Sequence, residues 1–558
     1  MKNAIVYTLA AALLALLHQS ALASDHFLTV GGGYSPRGNQ ISLEKNVQLF
    51  QRLLGQEYGE GAPHHILFSD GNHAGPDIQY MDPEFKIPRH VELLARVFRQ
   101  TKYLKYQYRT HQIENVQGVS SHDNLKKWFE EVGAKLKAGD RLFIYATAHG
   151  GRGPDRKQPQ NTVLYLWRNQ RISMKDFTAL LDKVPSEVPV VTVMVQCYAG
   201  GFANLTFEGG DPKSGAAQPQ RCGFFATVHN RVAAGCTPDI NEANYQEYSS
   251  YFWAALQGKT RTGQPIDSCD YDGDGRTSFA EAHAYALLTS GSIDVSIKTS
   301  DTFLRAFSAT TAKKPAKKGD GKKDDAKKDD AKKDDAKKDD AKKDDAKKDD
   351  AKKDDAAEKA ADDSVEQPVA AEPKPLLTVN TSYDELFALA HPVDKAVLDG
   401  LSVQLELKES ERGKEAKKLA DDLMKQKKAV ESTQGKLNRE YGSITKQINE
   451  SLLFRWPQLN NRWHPESIAL VADEGDTIIK AIESHARYKR FEELSAELQQ
   501  ISAKRLDFDK RWAKCQRLIR ALENVALAAN LPQLSDEKRV AEYEQLIASE
   551  NGFFGPKK

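Results

Sequence analysis

Charge of one sign is what this 558-residue chain most plainly lacks: 80 Lys and Arg stand against 79 Asp and Glu, a formal net charge of +1. So even a balance offers no global field for nucleic acid or for an anionic membrane, and neither is expected as a partner. Cysteine is sparse, five residues in all, and an odd count leaves at least one thiol unpaired. Past residue 23 no apolar run is long enough to cross a bilayer. Between Lys313 and Pro375 large apolar side chains almost vanish. A segment that cannot bury a core cannot offset the entropy of folding. It holds seven consecutive copies of Lys-Lys-Asp-Asp-Ala, Lys322 to Ala356. A period of five makes no face on a helix, so the tract reads as a near-neutral spacer. Glu366 to Pro375, with three prolines, completes this linker.

These gaps divide the chain into residues 1–23, 24–310, 311–375 and 376–558. The first part has the make-up of a signal peptide. Lys2 supplies a basic start, Ala4 to Leu17 an apolar stretch, and Ala21-Leu22-Ala23 an A-x-A cleavage site. The mature chain is expected to begin at Ser24, without a membrane span, in a periplasm or a secreted location. In an oxidising location Cys222 and Cys236 are the best candidates for a disulfide, because they bracket one expected strand.

Residues 24–310 alternate strand and helix patterns. Apolar runs at Phe27 to Val30, His64 to Phe68, Asp140 to Ala148 and Val190 to Val195 read as strands. Gln40 to Leu54, Pro88 to Phe98, Ser120 to Leu136 and Ser173 to Leu181 show helical periodicity. The fold class is therefore α/β, a mainly parallel sheet with helices on both faces. Two of the strands end in reactive residues. One runs into His149-Gly150-Gly151, the other into Gln196-Cys197, followed by Gly200-Gly201, where the backbone is expected to turn sharply. Strand ends of this kind are where open α/β sheets place their ligands. If these strands are neighbours, His149 can take the Cys197 proton, and the Gly150 N–H is free to hold an oxyanion.

Strand-His-Gly, a gap of 48 residues (197 − 149), then strand-Gln-Cys resembles the caspase/legumain class of cysteine peptidases. His64 to Gly71 and Phe224 to Asn230 resemble the strands that precede the His strand and follow the Cys strand in that class. Gly200 comes three places after the cysteine, a spacing more similar to legumain. The resemblance covers roughly Phe27 to Phe307. It implies a caspase-like fold, a Cys197 nucleophile, a His149 acid/base and protein or peptide substrates. Legumain-like enzymes also orient the histidine with an asparagine, for which Asn39 is the candidate. Acidic residues such as Asp239 or Glu242 would favour basic substrates.

Asp270 to Glu281 fits the twelve-residue EF-hand calcium loop. Asp270, Asp272 and Asp274 fall at positions one, three and five, and Gly275 at six. Arg276 offers its carbonyl at seven, Ser278 sits at nine and Glu281 at twelve. The sequence has no partner loop, so Ca2+ is expected as a solitary structural clip. Residues 376–558 carry apolar stripes, such as Leu437, Tyr441, Ile444, Ile448 and Leu452, that suit a helical bundle or coiled-coil hairpin. No chemistry is visible there, and a protein partner or self-association is its expected role. The functional expectation is an exported, calcium-stabilised cysteine endopeptidase. The competing expectation is an inactive caspase-like scaffold that acts through its helical region, and the same residues would also support acyl transfer to an amine.

Overall fold

The computed structural model describes residues 24–309 and 375–556. The expected targeting segment and the Lys-Lys-Asp-Asp-Ala tract lie outside the described residues. Strands follow in the order β1 Asp25–Gly32, β2 His64–Phe68, β3 Ile78–Tyr80, β4 Gln107–Arg109, β5 Arg141–Ala148 and β6 Gly150–Gly151. Then come β7 Val163–Tyr165, β8 Arg171–Ser173, β9 Val190–Met194, β10 Arg221–Phe225 and β11 Ile297–Lys298. The main sheet has the order β11-β10-β9-β5-β1-β2. All its pairs are parallel except β10 with β11.

Alternation along each central strand explains why the sheet is covered on both sides. Leu28, Val30, Leu142, Ile144, Val190 and Met194 point into one apolar cluster, closed by Leu125, Trp128 and Phe129 of helix His122–Glu131 and by Phe177 of helix Met174–Leu181. Phe27, Phe143, Tyr145, Val191 and Val193 point into the other, closed by helices Ile41–Tyr58, Tyr248–Gln257 and Phe279–Thr289. Each such side chain, fully buried, contributes about 1.5–3 kcal/mol of transfer free energy. Local signals placed the helices well: the Ser121 hydroxyl caps His122–Glu131 by accepting the Asn124 N–H at 3.2 Å. The strand expected at Phe224 to Asn230 sits earlier, at Arg221–Phe225, and the chain leaves the sheet after it.

Beyond residue 375 the chain is helical. Helices Arg412–Arg455 and Tyr488–Leu534 run antiparallel, since partner numbers fall as residue numbers rise: Lys427 with Asp509 at 2.7 Å, Gln434 with Ser502 at 3.0 Å, Glu440 with Arg490 at 2.8 Å. The first helix ends at Trp456-Pro457, where the proline offers no N–H to continue its hydrogen bonds. This region belongs to the same compact unit as the sheet. At one end Leu518, Leu522 and Ala526 join Ala284 and Leu287 in a shared cluster. At the other, Ile444, Ile448, Phe491 and Leu494 enclose Leu93, Leu94 and Val97, and Arg96 grips Glu492 through two bonds of 3.0 and 2.8 Å.

The last turn of the chain is stitched into the first. Phe554 packs 6.1 Å from Phe27 and 5.6 Å from Phe143, centroid to centroid. Arg141, which pairs with Asp25 at 2.6 Å, also donates to the Phe553 carbonyl at 2.9 Å. Glu550 is fully buried. It pairs with Lys298 at 3.0 Å and accepts from Thr299 Oγ1, Ser300 N–H and Ser300 Oγ, all at 2.7 Å. All five cysteines are free. The expected Cys222–Cys236 bridge is not formed, because Cys222 is fixed in the middle of β10 while Cys236 lies on the loop that returns toward Cys197.

Candidate functional site

The site begins with register. β5 and β9 pair in parallel with Leu142 opposite Val190 and Ala146 opposite Met194. His149 lies seven residues past Leu142 (149 − 142) and Cys197 seven past Val190 (197 − 190), so both leave neighbouring strands at the same level. Gly150 confirms how close the two chain segments run. A Cβ built there would stand 2.1 Å from the Cys197 carbonyl oxygen and 2.6 Å from Gln196 Cγ. Only glycine fits.

The same glycine is turned for an electrostatic task. Gly150 pairs with Leu164 on β7, and the Tyr165 N–H donates to the His149 carbonyl at 2.9 Å. Hydrogen-bonded and non-hydrogen-bonded pairs alternate along an antiparallel ladder. His149 with Tyr165 is a bonded pair, so Gly150 with Leu164 is not, and the Gly150 N–H points away from β7.

His149 is partly buried, and its Nε2 lies 2.8 Å from the Gly38 carbonyl and 2.9 Å from Gln40 Oε1. The Gln40 amide is oriented by its own Nε2, which donates to Gln79 Oε1 at 3.3 Å and to the Arg37 carbonyl at 3.5 Å. Both partners of His149 Nε2 are therefore acceptors, which assigns the proton of the neutral ring to Nε2 and leaves Nδ1 as the base. Burial lowers the His149 pKa, opposed by the Gly38 carbonyl. The Tyr34 ring meets the imidazole edge-on at 5.3 Å.

Asn39 does not orient the histidine. It is fully buried, accepts the Gly33 N–H at 2.8 Å and donates to Ser69 Oγ at 2.9 Å and the Asp77 carbonyl at 3.0 Å. It locks the loop after β1, so that the neighbouring Gly38 carbonyl and Gln40 amide reach His149. The Gly38 carbonyl leaves no mark in a sequence, and the resemblance to legumain-like enzymes implies an asparagine where this chain uses Gln40.

Cys197 Sγ accepts the Ala233 N–H at 3.3 Å and lies 3.9 Å from the Ala233 carbonyl. Burial pushes its pKa up, the Ala233 contact opposes this, and the Asp294 carboxylate adds to the rise. At rest, then, both the thiol and the imidazole are neutral. The sharp turn beyond the sulfur is made by Tyr198, in the left-handed region at φ 61°, ψ 18°. Such a conformation in a bulky residue stores about 1–3 kcal/mol and is concentrated at functional sites. The expectation that Gly200 and Gly201 make the turn is corrected: neither has a positive φ. They allow close approach, a Cβ on Gly200 falling 2.7 Å from the Thr227 carbonyl and one on Gly201 2.2 Å from Thr162 Oγ1.

No family model and no curated protein matches this chain. Among solved structures it is similar to the protein GSU0716 from Geobacter sulfurreducens, at 10% identity and a TM-score of 0.27, over 47% of this chain and 88% of that one. At that level the likeness carries no argument about activity.

The acidic loop is organised but not in the full expected ligand set. Asp270, Asp272 and Asp274 bring one carboxylate oxygen each within 4.8 Å of one another. Gly273 and Gly275, at φ 80° and 86°, bend the backbone so that their N–H groups donate to Asp270 at 2.7 and 2.9 Å. Glu281 stays apart from that group. Its Oε1 accepts the N–H of Tyr271 at 2.6 Å and of Asp272 at 3.2 Å, and its Oε2 accepts the Ser278 N–H at 2.8 Å and hydroxyl at 3.0 Å. Ser278 and Glu281 thus form the capping box of helix Phe279–Thr289. The Arg276 guanidinium stacks 3.8 Å above the Phe553 ring. The donor chemistry fits a hard cation held by Asp270, Asp272 and Asp274, while Ser278 and Glu281 are engaged in the cap.

Of the acidic residues expected to favour basic substrates, Glu242 is already paired with Arg261 at 3.0 Å, and Asp239 accepts from Asn241 and Asn244 within its own turn. A cavity of about 530 Å³ between helix Arg89–Val97 and the Leu459–Val471 segment is lined by neither His149 nor Cys197. Asp70, Asp77 and His111 also converge. Both His111 ring nitrogens are occupied, by the Gly71 carbonyl at 2.7 Å and the Ile113 N–H at 3.3 Å, so the ring has no lone pair free for a metal.

Proposed function

We propose that this chain is an exported cysteine endopeptidase of the caspase/legumain type, with a caspase-like fold in residues 24–310. The observation that carries the reading is the packing of His149-Gly150 directly on the Cys197 carbonyl, at matched positions on β5 and β9. In this reading Cys197 attacks the scissile carbonyl as His149 Nδ1 takes the thiol proton. The developing oxyanion accepts the Gly150 N–H, which makes no bond to β7. The imidazolium, its Nε2–H held by the Gly38 and Gln40 oxygens, then gives its proton to the leaving amine. Water hydrolyses the thioester by the same route in reverse.

A neutral resting pair suits this order of events. Desolvation disfavours both the thiolate and the imidazolium, so charge separates only when a substrate carbonyl is present to receive the sulfur. Calcium held by Asp270, Asp272 and Asp274 supplies charge neutralisation to the turn that starts helix Phe279–Thr289, a structural role, with the helical region open to a protein partner.

The test is labelling of the full chain with peptide acyloxymethylketone probes bearing Arg, Lys, Asn or Asp at the leading position, beside Cys197→Ala. Labelling of wild type that is lost in the variant is the expected result. Silence from every probe overturns the peptidase and leaves a calcium-binding scaffold.

A further inference from the structure

The helical region after residue 375 reaches the nucleophile through two buried charged residues. Arg517, on helix Tyr488–Leu534, is 2% exposed. Its guanidinium donates to the Leu287 carbonyl in the last turn of helix Phe279–Thr289, at 3.0 Å, and to three carbonyls of the connection from that helix to β11: Ser290 at 2.8 Å, Ser292 at 3.3 Å and Asp294 at 2.8 Å. A rigid, planar donor set of this kind fixes a connection that has no secondary structure of its own.

The connection then holds the Cys197 loop. Asp294, 1% exposed, accepts the Ala234 N–H through Oδ1 at 2.6 Å. Ala233, the residue before, donates its N–H to Cys197 Sγ. A second contact runs parallel to the first: Trp512 lies 4.2 Å beneath the Arg231 guanidinium, and the Arg231 carbonyl accepts the N–H of Tyr198, the residue after the nucleophile. Both sides of the sulfur are thus braced by one helix of the C-terminal region. Asp294 Oδ2 is buried with no hydrogen-bond partner, an arrangement that costs stability and calls for a reason beyond packing.

We propose that Asp294 and Arg517 are positioning residues for Cys197: Arg517 anchors Asp294, and Asp294 sets both the place of the Ala233 N–H against the sulfur and the local charge opposing the thiolate. The helical region is then part of the active centre and not a module that can be removed to release it. This rests on the assignment of Cys197 as nucleophile. Arg517 and Arg231 act on the Asp294 carboxylate as cations, Glu247 as an anion, and Tyr248 and Tyr251 as neutral hydroxyls. Burial raises the Asp294 pKa to about 7, so its carboxylate is already charged at the higher pH where the burial-raised Cys197 thiol ionises.

The experiment measures iodoacetamide alkylation of Cys197 against pH in the full chain, read by peptide mass, together with probe labelling, for wild type, Asp294→Ala and Asp294→Asn. Ala removes the acceptor and the charge, whereas Asn keeps an acceptor for the Ala234 N–H and removes the charge alone. Expected is a loss of about tenfold in probe labelling for Ala, recovery in Asn, and an Asn alkylation profile displaced toward lower pH, a tenfold change corresponding to about one pH unit. Asn with an unmoved profile, or Ala and Asn equally impaired, overturns the positioning role. Should Asp294→Ala fail to fold, the Asn profile alone decides. Alkylation that follows the Asp294 series while no peptide probe labels wild type upholds the positioning and overturns the peptidase.

Discussion

Replacing Gly150 by alanine tests the site where its geometry is tightest. The added Cβ would meet the Cys197 carbonyl oxygen at 2.1 Å. An ordinary close C···O contact is about 3.3 Å, so the two segments must part by roughly 1.2 Å (3.3 − 2.1). Neither neighbour is a flexible side-chain end: one is backbone, and the other is the buried Gln196. Overpacking of this kind costs about 1–3 kcal/mol. The catalytic loss is larger in proportion, because a displacement of about 1 Å between reacting groups costs about a hundredfold in rate. Gly150→Ala should therefore remain folded, with a Tm lower by a few degrees, while probe labelling of Cys197 falls about a hundredfold. Gly55, with open space around it on helix Ile41–Tyr58, is the control. Its alanine variant should gain about 0.5–1 kcal/mol from helix propensity and leave labelling unchanged. If Gly150→Ala labels within about threefold of wild type, the strand ends are not where the chemistry is.

Other perturbations have readouts of their own. Glu550→Ala leaves the partly buried Lys298 without its ion-pair partner and the buried Thr299 and Ser300 hydroxyls without their acceptor, and should cost about 3–5 kcal/mol in chemical denaturation; a loss below about 1 kcal/mol would mean that the C-terminal segment is not closed on the sheet. Burial lowers the His64 pKa to about 3 from the unfolded 6.5, so below 6.5 the unfolded chain binds the extra proton. The contribution is intact above that value and is lost as pH falls toward 3. His64→Gln should flatten the acid limb of stability by up to about 1.4 kcal/mol per pH unit, and an unchanged limb refutes the assignment. Calcium at about a hundred times its dissociation constant should stabilise the chain by about 2.7 kcal/mol, reversed by chelator and absent in Asp272→Ala. Superimposable melting curves with and without the ion would dismiss the site.

Short continuous apolar runs bounded by turn residues place β1, β2, β5 and β9 to within about two residues, a margin expected at element ends. The juxtaposition of His149 and Cys197 followed from two strand ends and an assumed pairing, and the register supplied what the pattern could not. Other features depend on contacts distant in the chain. Arg517 lies 223 residues from Asp294 (517 − 294), and nothing local to either marks it. The Gly38 carbonyl has no side chain to announce it, and Glu281 matched a ligand position while serving equally well as a helix cap. The boundary drawn at residue 376 followed a real change of composition, yet packing carries the same core across it, because the face of the sheet between β1 and β10 needs the apolar side chains of Leu527, Leu531, Leu546 and Phe554 to close it.

The seating of Phe554 against Phe27 has a consequence for how the molecule comes into being. The two residues are separated by 527 positions (554 − 27). At a synthesis rate of about 5–20 residues per second, β1 exists for roughly half a minute to two minutes before the residue that completes its surroundings has been made. During that interval the aromatic face of the sheet lacks the part of its cover that Leu527, Leu531, Leu546 and Phe554 supply. Phe27 and Phe143 therefore reach their full burial only after the last helix, Glu537–Glu550, and the turn beyond it have been made.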